Sequence, residues 1–200
     1  PRRPAAVSAQ AALKAALRAE LRARRRAIPP DQKRQWDRAL QAGLSALAAQ
    51  AEGALFCFVG VRSEPDTRPF LAARLAAGRA VAVPRCTGPG IMEARVITDL
   101  AQLREVGPLG IPEPGVDCPL LAPEAIALAV VPCLSCDREG RRLGQGGGYY
   151  DAFLRGRIFP AVALCYEALL SEHIPTEPFD VPVDGVLTER RLYGSAAQRG

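Results

Sequence analysis

Residues 54–61 read ALFCFVGV, a short and almost continuously apolar run. Strands of a parallel sheet that is covered on both faces have this composition, because neither face meets water. Residues 79–83, 126–131 and 161–165 share the pattern. Helix-forming stretches at residues 69–77 and 149–154 lie between these runs, and such alternation is typical of parallel sheets with helices on both sides. The sequence therefore predicts an α/β fold, a three-layer α/β/α sandwich with a mainly parallel sheet.

Two helices are predicted before the first strand. Residues 9–28 are rich in Ala, Leu, Arg and Glu, and Pro29 and Pro30 end this pattern. Asp31 stands where the N-cap of a second helix would be, and the helical pattern then continues to a break at Gly53. Four basic residues on the first helix are spaced four, four and three apart, so they share one face beside a leucine stripe; they are Lys14, Arg18, Arg22 and Arg25.

Length and composition limit the possible classes. The chain has 200 residues, which predicts a single domain over residues 1–200, with residues 1–12 as a poorly ordered N-terminal extension. Hydrophobic residues make up 48%, but no apolar run is long enough to cross a bilayer, so we expect no membrane partner. The net charge of +5 favours anionic ligands without choosing among them. We expect a monomer.

The cysteines and the N-terminus bear on the compartment. Six scattered cysteines in a chain of this length predict free thiols in a reducing compartment. Cys133 and Cys136 have C-x-x-C spacing, which leaves a redox role open, but with one histidine and no second pair a four-ligand zinc site has too few candidates. The Ala- and Arg-rich start is also typical of a mitochondrial transit peptide. Because its arginines continue into a packed helix, we expect a cytoplasmic protein, with a mitochondrial location as the alternative.

The most informative segment for function covers residues 130–154 and begins at the end of the strand at residues 126–131. It reads VVPCLSCDREGRRLGQGGGYYDAFL, and its glycines at positions 144, 146, 147 and 148 lead directly into a predicted helix. Glycines let backbone N–H groups approach an anion closely, and a helix start favours negative charge. Arg141 and Arg142 can grip phosphate oxygens. A carboxylate directly after such a cradle, Asp151, would repel phosphate unless a divalent cation such as Mg²⁺ joins them.

This segment closely resembles the signature of the 5-formyltetrahydrofolate cyclo-ligases, also called methenyltetrahydrofolate synthetases. Lys14-x-x-Leu17-Arg18 resembles the K-x-x-L-R of that family, and further similar elements run in the family's order as far as Glu189. These elements are Glu64-Pro65-Asp66-Thr67, residues 92–97, Gly110-Ile111-Pro112-Glu113-Pro114 and Asp180-Val181-Pro182-Val183-Asp184-Gly185-Val186. The resemblance implies a fold similar to the sugar-phosphate isomerase and CoA-transferase group.

The resemblance also implies an activity, namely ATP- and Mg²⁺-dependent cyclisation of 5-formyltetrahydrofolate to 5,10-methenyltetrahydrofolate through a phosphorylated formyl group. The residues implied in catalysis are Lys14, Arg18, Arg142 and Tyr149. Those implied in ATP binding are Lys14, Arg18, Arg142, Leu143, Gly144, Gln145, Gly146, Gly147, Gly148, Tyr149 and Tyr150. Folate would contact Arg18, Val59, Glu64, Gln145, Gly146, Gly147, Gly148 and Tyr149, and Mg²⁺ would bind Asp151 and Asp180.

This chain departs from the family pattern at a few positions. Cys133 and Cys136 stand where relatives usually have a glycine and a bulky aromatic, and Gln145 stands where some relatives have a basic residue. Two other functions remain open. A nucleic-acid-binding protein could use the arginine-rich helix, although no recognised module is present. A folate- or nucleotide-binding sensor without turnover could keep the same motifs.

Overall fold

The computed structural model describes residues 9–106 and 110–195. Its two N-terminal helices are α1 (Ala9–Arg26) and α2 (Pro30–Ala49), and two shorter helices follow, α3 (Arg68–Ala76) and α4 (Tyr149–Leu154). Helix α1 includes residues 9–12, which the sequence assigned to a poorly ordered extension, whereas residues 1–8 lie outside the described part.

The start of α2 differs from the prediction. Pro29 is the N-cap and Pro30 the first helical residue, so the assignment of Asp31 as N-cap is wrong. Proline is suited to the first helical position because its fixed φ is already helical and its missing N–H would have no partner there. Asp31 instead lies in the first turn, where its charge is favourable to the helix dipole.

The strands within the described residues are, in chain order, β1 (Ala54–Cys57), β2 (Val81–Gly88), β3 (Ile91–Ile97), β4 (Leu103–Val106), β5 (Ile111–Pro114), β6 (Ile126–Pro132), β7 (Ser135–Cys136), β8 (Arg142–Leu143), β9 (Ala161–Leu164), β10 (Gly185–Leu187) and β11 (Leu192–Gly194). Seven of them form one sheet in the order β11-β10-β9-β6-β1-β2-β3. The central pairs are parallel, and only the outer strands β3 and β11 pair antiparallel. The predicted mainly parallel α/β/α fold is confirmed.

Strands β1 and β2 differ from the prediction in length. Strand β1 ends at Cys57 rather than at residue 61, because the chain folds back on itself after the sheet. A Cβ atom on Gly60 would lie 2.0 Å from the carbonyl oxygen of Pro65, so only glycine fits this close approach. Strand β2 continues to Gly88 because it pairs with β3, a hairpin partner that the sequence pattern did not reveal.

Aromatic packing holds α4 against the sheet. Phe56 in β1 is fully buried, and its ring stacks on that of Phe153 in α4 with centroids 4.4 Å apart. Phe153 also packs against Phe159, at 5.8 Å. Such pairs contribute about 0.5–1.5 kcal/mol beyond the burial of their area. They hold the helix, and with it the glycine-rich turn before it, against β1.

Candidate active site

The glycine-rich turn lies between β8 and α4, and most of it is exposed. Gly146 and Gly148 have φ of 101° and 71°, in the left-handed region that favours glycine. Gly148 is also the N-cap of α4, which has only six residues. A short helix has a small dipole, so the backbone amides of the turn matter more for anion binding than the helix itself.

Helix α1 lies against this turn through its basic face. Arg18 donates from Nε to the carbonyl oxygen of Gly144 at 2.9 Å. One helical turn later, Arg22 donates to Oε1 and to the carbonyl oxygen of Gln145, at 3.0 and 3.2 Å. Gln145 therefore provides an acceptor for Arg22, which a basic residue at this position could not do. The two arginines bring positive charge to the edge of the turn.

Lys14 lies one turn earlier on the same face and is only 3% exposed. Its Nζ is 3.0 Å from Oε2 of Glu177 and also forms an ion pair with Asp180. The ring of Phe179 covers the ammonium, with its centroid 5.4 Å from Nζ. Lys14 is thus held among acidic side chains from a segment far along the chain. Lys14 is predicted to bind phosphate and Asp180 to bind the metal, and the two are in direct contact.

Arg142 forms a second buried pair. Its Nη2 donates to Oδ1 of Asp151 at 2.9 Å, and its guanidinium lies 5.8 Å from the ring centroid of Tyr150. The Nε of Arg142 is buried and has no hydrogen-bond partner among the described residues. An unpaired buried donor of this kind costs about 1–3 kcal/mol.

One of the two predicted metal ligands is hydrogen-bonded to the residue that follows the other. Oδ1 of Asp151 also accepts the backbone N–H of Val181 at 3.2 Å, and Val181 directly follows Asp180. Two carboxylates completed by phosphate oxygens are a ligand set that Mg²⁺ favours, so these residues fit the ion. Within residues 9–106 and 110–195, no cluster of three or more His, Cys, Asp or Glu side chains is arranged to hold a metal by itself.

The loop after β1 carries two of the predicted folate residues. Val59 is buried, and Glu64 accepts the N–H of Val61 on Oε2 at 3.2 Å. Thr67 closes this loop, because its hydroxyl donates to the carbonyl oxygen of Phe58 at 2.8 Å and accepts the N–H of Gly60 at 3.0 Å. Burial raises the pKa of Glu64.

Tyr150 connects the folate loop with the glycine-rich turn. Burial raises the pKa of its hydroxyl, and the nearby carboxylate of Glu64 raises that pKa further. Arg142, on the other side, lowers it. The phenol is therefore neutral, and both the carboxylate of Glu64 and the guanidinium of Arg142 act on it.

Sequence reasoning assigned no role to several residues that the structure brings to this site. Arg25 is 7% exposed and donates to Oγ of Ser63 and to the carbonyl oxygen of Cys133, both at 3.1 Å, so it joins α1 to the loops after β1 and β6. Its spacing after Arg22 was the available signal. Glu177 and Phe179 had no such signal, because only the fold places them beside Lys14.

A basic helix on a glycine-rich turn, at the carboxyl ends of parallel strands, defines an α/β protein with a site suited to an oligophosphate. The family model of the 5-formyltetrahydrofolate cyclo-ligase family matches residues 10–189. The chain belongs to the 5-formyltetrahydrofolate cyclo-ligase family.

Individual relatives agree with this assignment. The 5-formyltetrahydrofolate cyclo-ligase of Mycolicibacterium smegmatis is 33% identical over 180 residues, covering 84% of this chain and 89% of the relative. That of Escherichia coli K12 is 26% identical over 176 residues, covering 84% and 96%. The 5-formyltetrahydrofolate cyclo-ligase named as mitochondrial in Arabidopsis thaliana is 44% identical over 81 residues, which cover 34% of this chain and 29% of the relative.

Solved structures match as well. The NMR structure of the Aquifex aeolicus 5,10-methenyltetrahydrofolate synthetase superposes with a TM-score of 0.80 and 26% identity, covering 92% of this chain and 93% of that one. The synthetase from Mycoplasma pneumoniae superposes with a TM-score of 0.71 over 88% and 98%, at 18% identity, which supports the fold alone.

Proposed function

We propose that this protein converts 5-formyltetrahydrofolate to 5,10-methenyltetrahydrofolate with ATP and Mg²⁺ and releases ADP and phosphate. The observation that carries the proposal is the contact of Arg18 and Arg22 with the glycine-rich turn while Arg142 lies buried directly before it. This arrangement brings cations to the turn from two distant parts of the chain. Cations from both sides would neutralise the charge of an oligophosphate. Membership of the cyclo-ligase family indicates that the other substrate is a folate.

A formamide is a weak electrophile, so its oxygen must become a better leaving group before a ring can close. In the proposed route, the γ-phosphoryl group of ATP is transferred to the formyl oxygen, N10 of the folate attacks the formyl carbon, and phosphate leaves. Lys14, Arg18 and Arg142 would stabilise the charge on the transferred group, and Tyr149 would help position the reactants. Bound Mg²⁺ supplies further neutralisation of phosphate charge, held by Asp151 and Asp180.

The nucleotide and the folate would bind on either side of Tyr150. Residues 143–149 would contact the phosphates through backbone N–H groups and Tyr150 would border them, while residues 145–149 would also face the folate. The carboxylate of Glu64 can accept paired N–H bonds from a pterin, and Val59 would form part of the apolar wall. The shared border between the two subsites is what in-line transfer between the two substrates requires.

The contacts of the basic face of α1 bear on the two other functions, nucleic-acid binding and ligand sensing. Lys14 and Arg25 are buried, and Arg18 and Arg22 are bonded to the turn, so this basic face is not a free surface for nucleic acid. No specific observation favours a sensor without turnover.

We further propose a monomeric protein of one domain in the cytoplasm. All six cysteines are free thiols, which suits a reducing compartment. A mitochondrial location is the alternative, as in the name of one relative. In the described residues, none of the helices has both the length and the apolar composition needed to cross a membrane.

The test is a single assay of purified protein with MgATP and 5-formyltetrahydrofolate, in which methenyl absorbance and ADP are followed together. We expect equal amounts of both products, and none when either substrate or Mg²⁺ is omitted. Tight binding of folate and nucleotide without product would instead identify a sensor, and salt-sensitive RNA or DNA binding without ATP consumption would identify a nucleic-acid-binding protein.

A further inference from the structure

Three of the six cysteines meet in one place. Cys133 follows β6 and Cys165 follows β9, and these neighbouring parallel strands are in register at Pro132 and Leu164, one residue earlier. Cys136 lies in β7, three residues after Cys133. All three are buried, with exposures of 6% for Cys133, 0% for Cys136 and 2% for Cys165. The chain thus builds a thiol cluster at the carboxyl ends of two central strands.

Cys133 is the centre of this cluster. The thiols of Cys136 and Cys165 lie beside it and lower the pKa of Cys133, and Arg142 and Arg25 lower that pKa further. The same contacts and burial raise the pKa of Cys136 and of Cys165. In its thiol form Cys133 donates to the carbonyl oxygen of Leu164 at 3.2 Å. A thiolate cannot donate this bond, so its stabilisation comes from the neighbouring thiols and arginines.

The arginines join the cluster to the phosphate site. Arg25 donates to the carbonyl oxygen of Cys133 at 3.1 Å, and it is buried like the thiols. Cys136 pairs with Arg142 across the β7–β8 hairpin. A covalent change at Cys136 would therefore act on the strand pair that carries Arg142. A change at Cys133 would act on the carbonyl group that binds Arg25.

We propose that hydrogen peroxide oxidises Cys133, which then forms a disulfide with one of its two thiol neighbours, Cys136 or Cys165. The register of β6 and β9 sets Cys133 beside Cys165, and Cys136 follows three residues later, so an attacking thiol and a resolving thiol are both at hand. A buried cluster admits only a small oxidant, and hydrogen peroxide is close to water in size. The inference does not depend on the proposed function.

The reaction balances with one molecule of hydrogen peroxide. The Cys133 thiolate attacks one peroxide oxygen, the O–O bond breaks, and hydroxide leaves, which gives a sulfenic acid at Cys133. The sulfur of Cys136 or Cys165 then attacks the Cys133 sulfur, the S–O bond breaks, and a second hydroxide leaves. With the two thiol protons, the hydroxides become two molecules of water. The protein loses two hydrogen atoms in total.

Native full-length protein tests this directly. It would be reduced, freed of reductant, exposed to hydrogen peroxide at low molar excess, alkylated, and analysed by intact mass and peptide mapping. We expect the loss of two hydrogens per chain, a crosslink that contains Cys133, and its disappearance on treatment with dithiothreitol. Cys133→Ser should abolish the crosslink, whereas Cys118→Ser, which changes an equally buried thiol elsewhere, should leave it unchanged.

Several results would overturn the inference. These are six alkylated thiols after peroxide, a disulfide that omits Cys133, or oxidation of Cys133 to sulfinic acid without any crosslink. The mapping of the unmutated protein decides the matter even where the serine variant fails to fold.

Discussion

Arg142 and Asp151 form a partly buried ion pair, with 2.9 Å between Nη2 and Oδ1, although one is proposed to bind phosphate and the other Mg²⁺. Lys14 and Asp180 repeat this relationship. The side chains of the two cations are only 3% and 4% exposed, so each needs a counter-charge when no ligand is bound. The charges of these residues therefore offset one another, and in the proposed complex Mg²⁺ and the triphosphate would take over as partners of the same sign.

The first prediction concerns Asp151→Asn. The amide keeps an acceptor for Arg142 and for the N–H of Val181, but it lacks the charge that Mg²⁺ needs. We expect kcat/KM to fall about 100-fold or more, and the free energy of unfolding to fall by about 1–3 kcal/mol because Arg142 loses a charged partner. Initial rates at varied Mg²⁺ and urea unfolding measure the two effects. Asp117→Asn, at an exposed carboxylate, is the control, and a near-normal rate for Asp151→Asn would count against the metal role.

Lys14→Ala should impair both turnover and folding stability. The structure shows a buried ammonium between Glu177 and Asp180. Removing one partner of a buried ion pair costs about 3–5 kcal/mol. Arg26→Ala changes an exposed cation on the same helix and should stay within about 0.5 kcal/mol of the parent. Equal thermal unfolding of the two variants would show that the Lys14 pairs contribute little.

The turn itself can be tested at Gly148. Alanine there meets no atom within 4 Å, so its only penalty is the φ of 71°, about 1–2 kcal/mol. Gly78 offers a matched control, since it has a φ of 67° and equally open surroundings at the end of α3. We expect similar losses of stability for the two alanine variants, but a raised KM for ATP only for Gly148→Ala. Unchanged KM in both variants would contradict a phosphate contact at this turn.

Glu64→Gln should weaken folate binding while stabilising the fold at neutral pH. The pKa of Glu64 is raised by burial, so between the ordinary Glu value of about 4.3 and the higher folded value the native state binds more protons than the unfolded state. The free energy of unfolding contributed by Glu64 therefore falls as the pH rises through that window. We expect the variant to melt above the parent at pH 7, with the difference shrinking toward pH 4.

Binding measurements complete the Glu64 test. The dissociation constant for folate should rise by about 10-fold or more, as expected when a buried charged acceptor is lost, while that for ATP stays constant. Equal effects on both ligands would place Glu64 outside the folate subsite.

Much of this architecture could be predicted from local patterns. The apolar runs at residues 54–61 and 126–131 indicated buried parallel strands because such strands meet no water, and the four-residue spacing of Lys14 and Arg18 gave the basic face of α1. The glycines at 146 and 148 were informative because positive φ excludes most other residues.

The rest depends on contacts between distant segments. The pairing of Lys14 with Glu177 spans 163 residues, and no periodicity carries such information. The edge strand β3 and the small hairpins β4–β5 and β7–β8 are held by pairing rather than by an apolar pattern, so they were missed. The meeting of Cys165 with Cys133 likewise follows from the register of β6 and β9, which only the assembled sheet defines.

The central claim is that a triphosphate binds on the turn at residues 144–148, beneath Arg18 and Arg22. Amide hydrogen exchange measures this directly, with peptides that cover residues 143–150 compared in the presence and absence of MgATP. The account predicts slower exchange in those peptides and in the first helix. Unchanged exchange there under conditions in which the protein consumes ATP would contradict it.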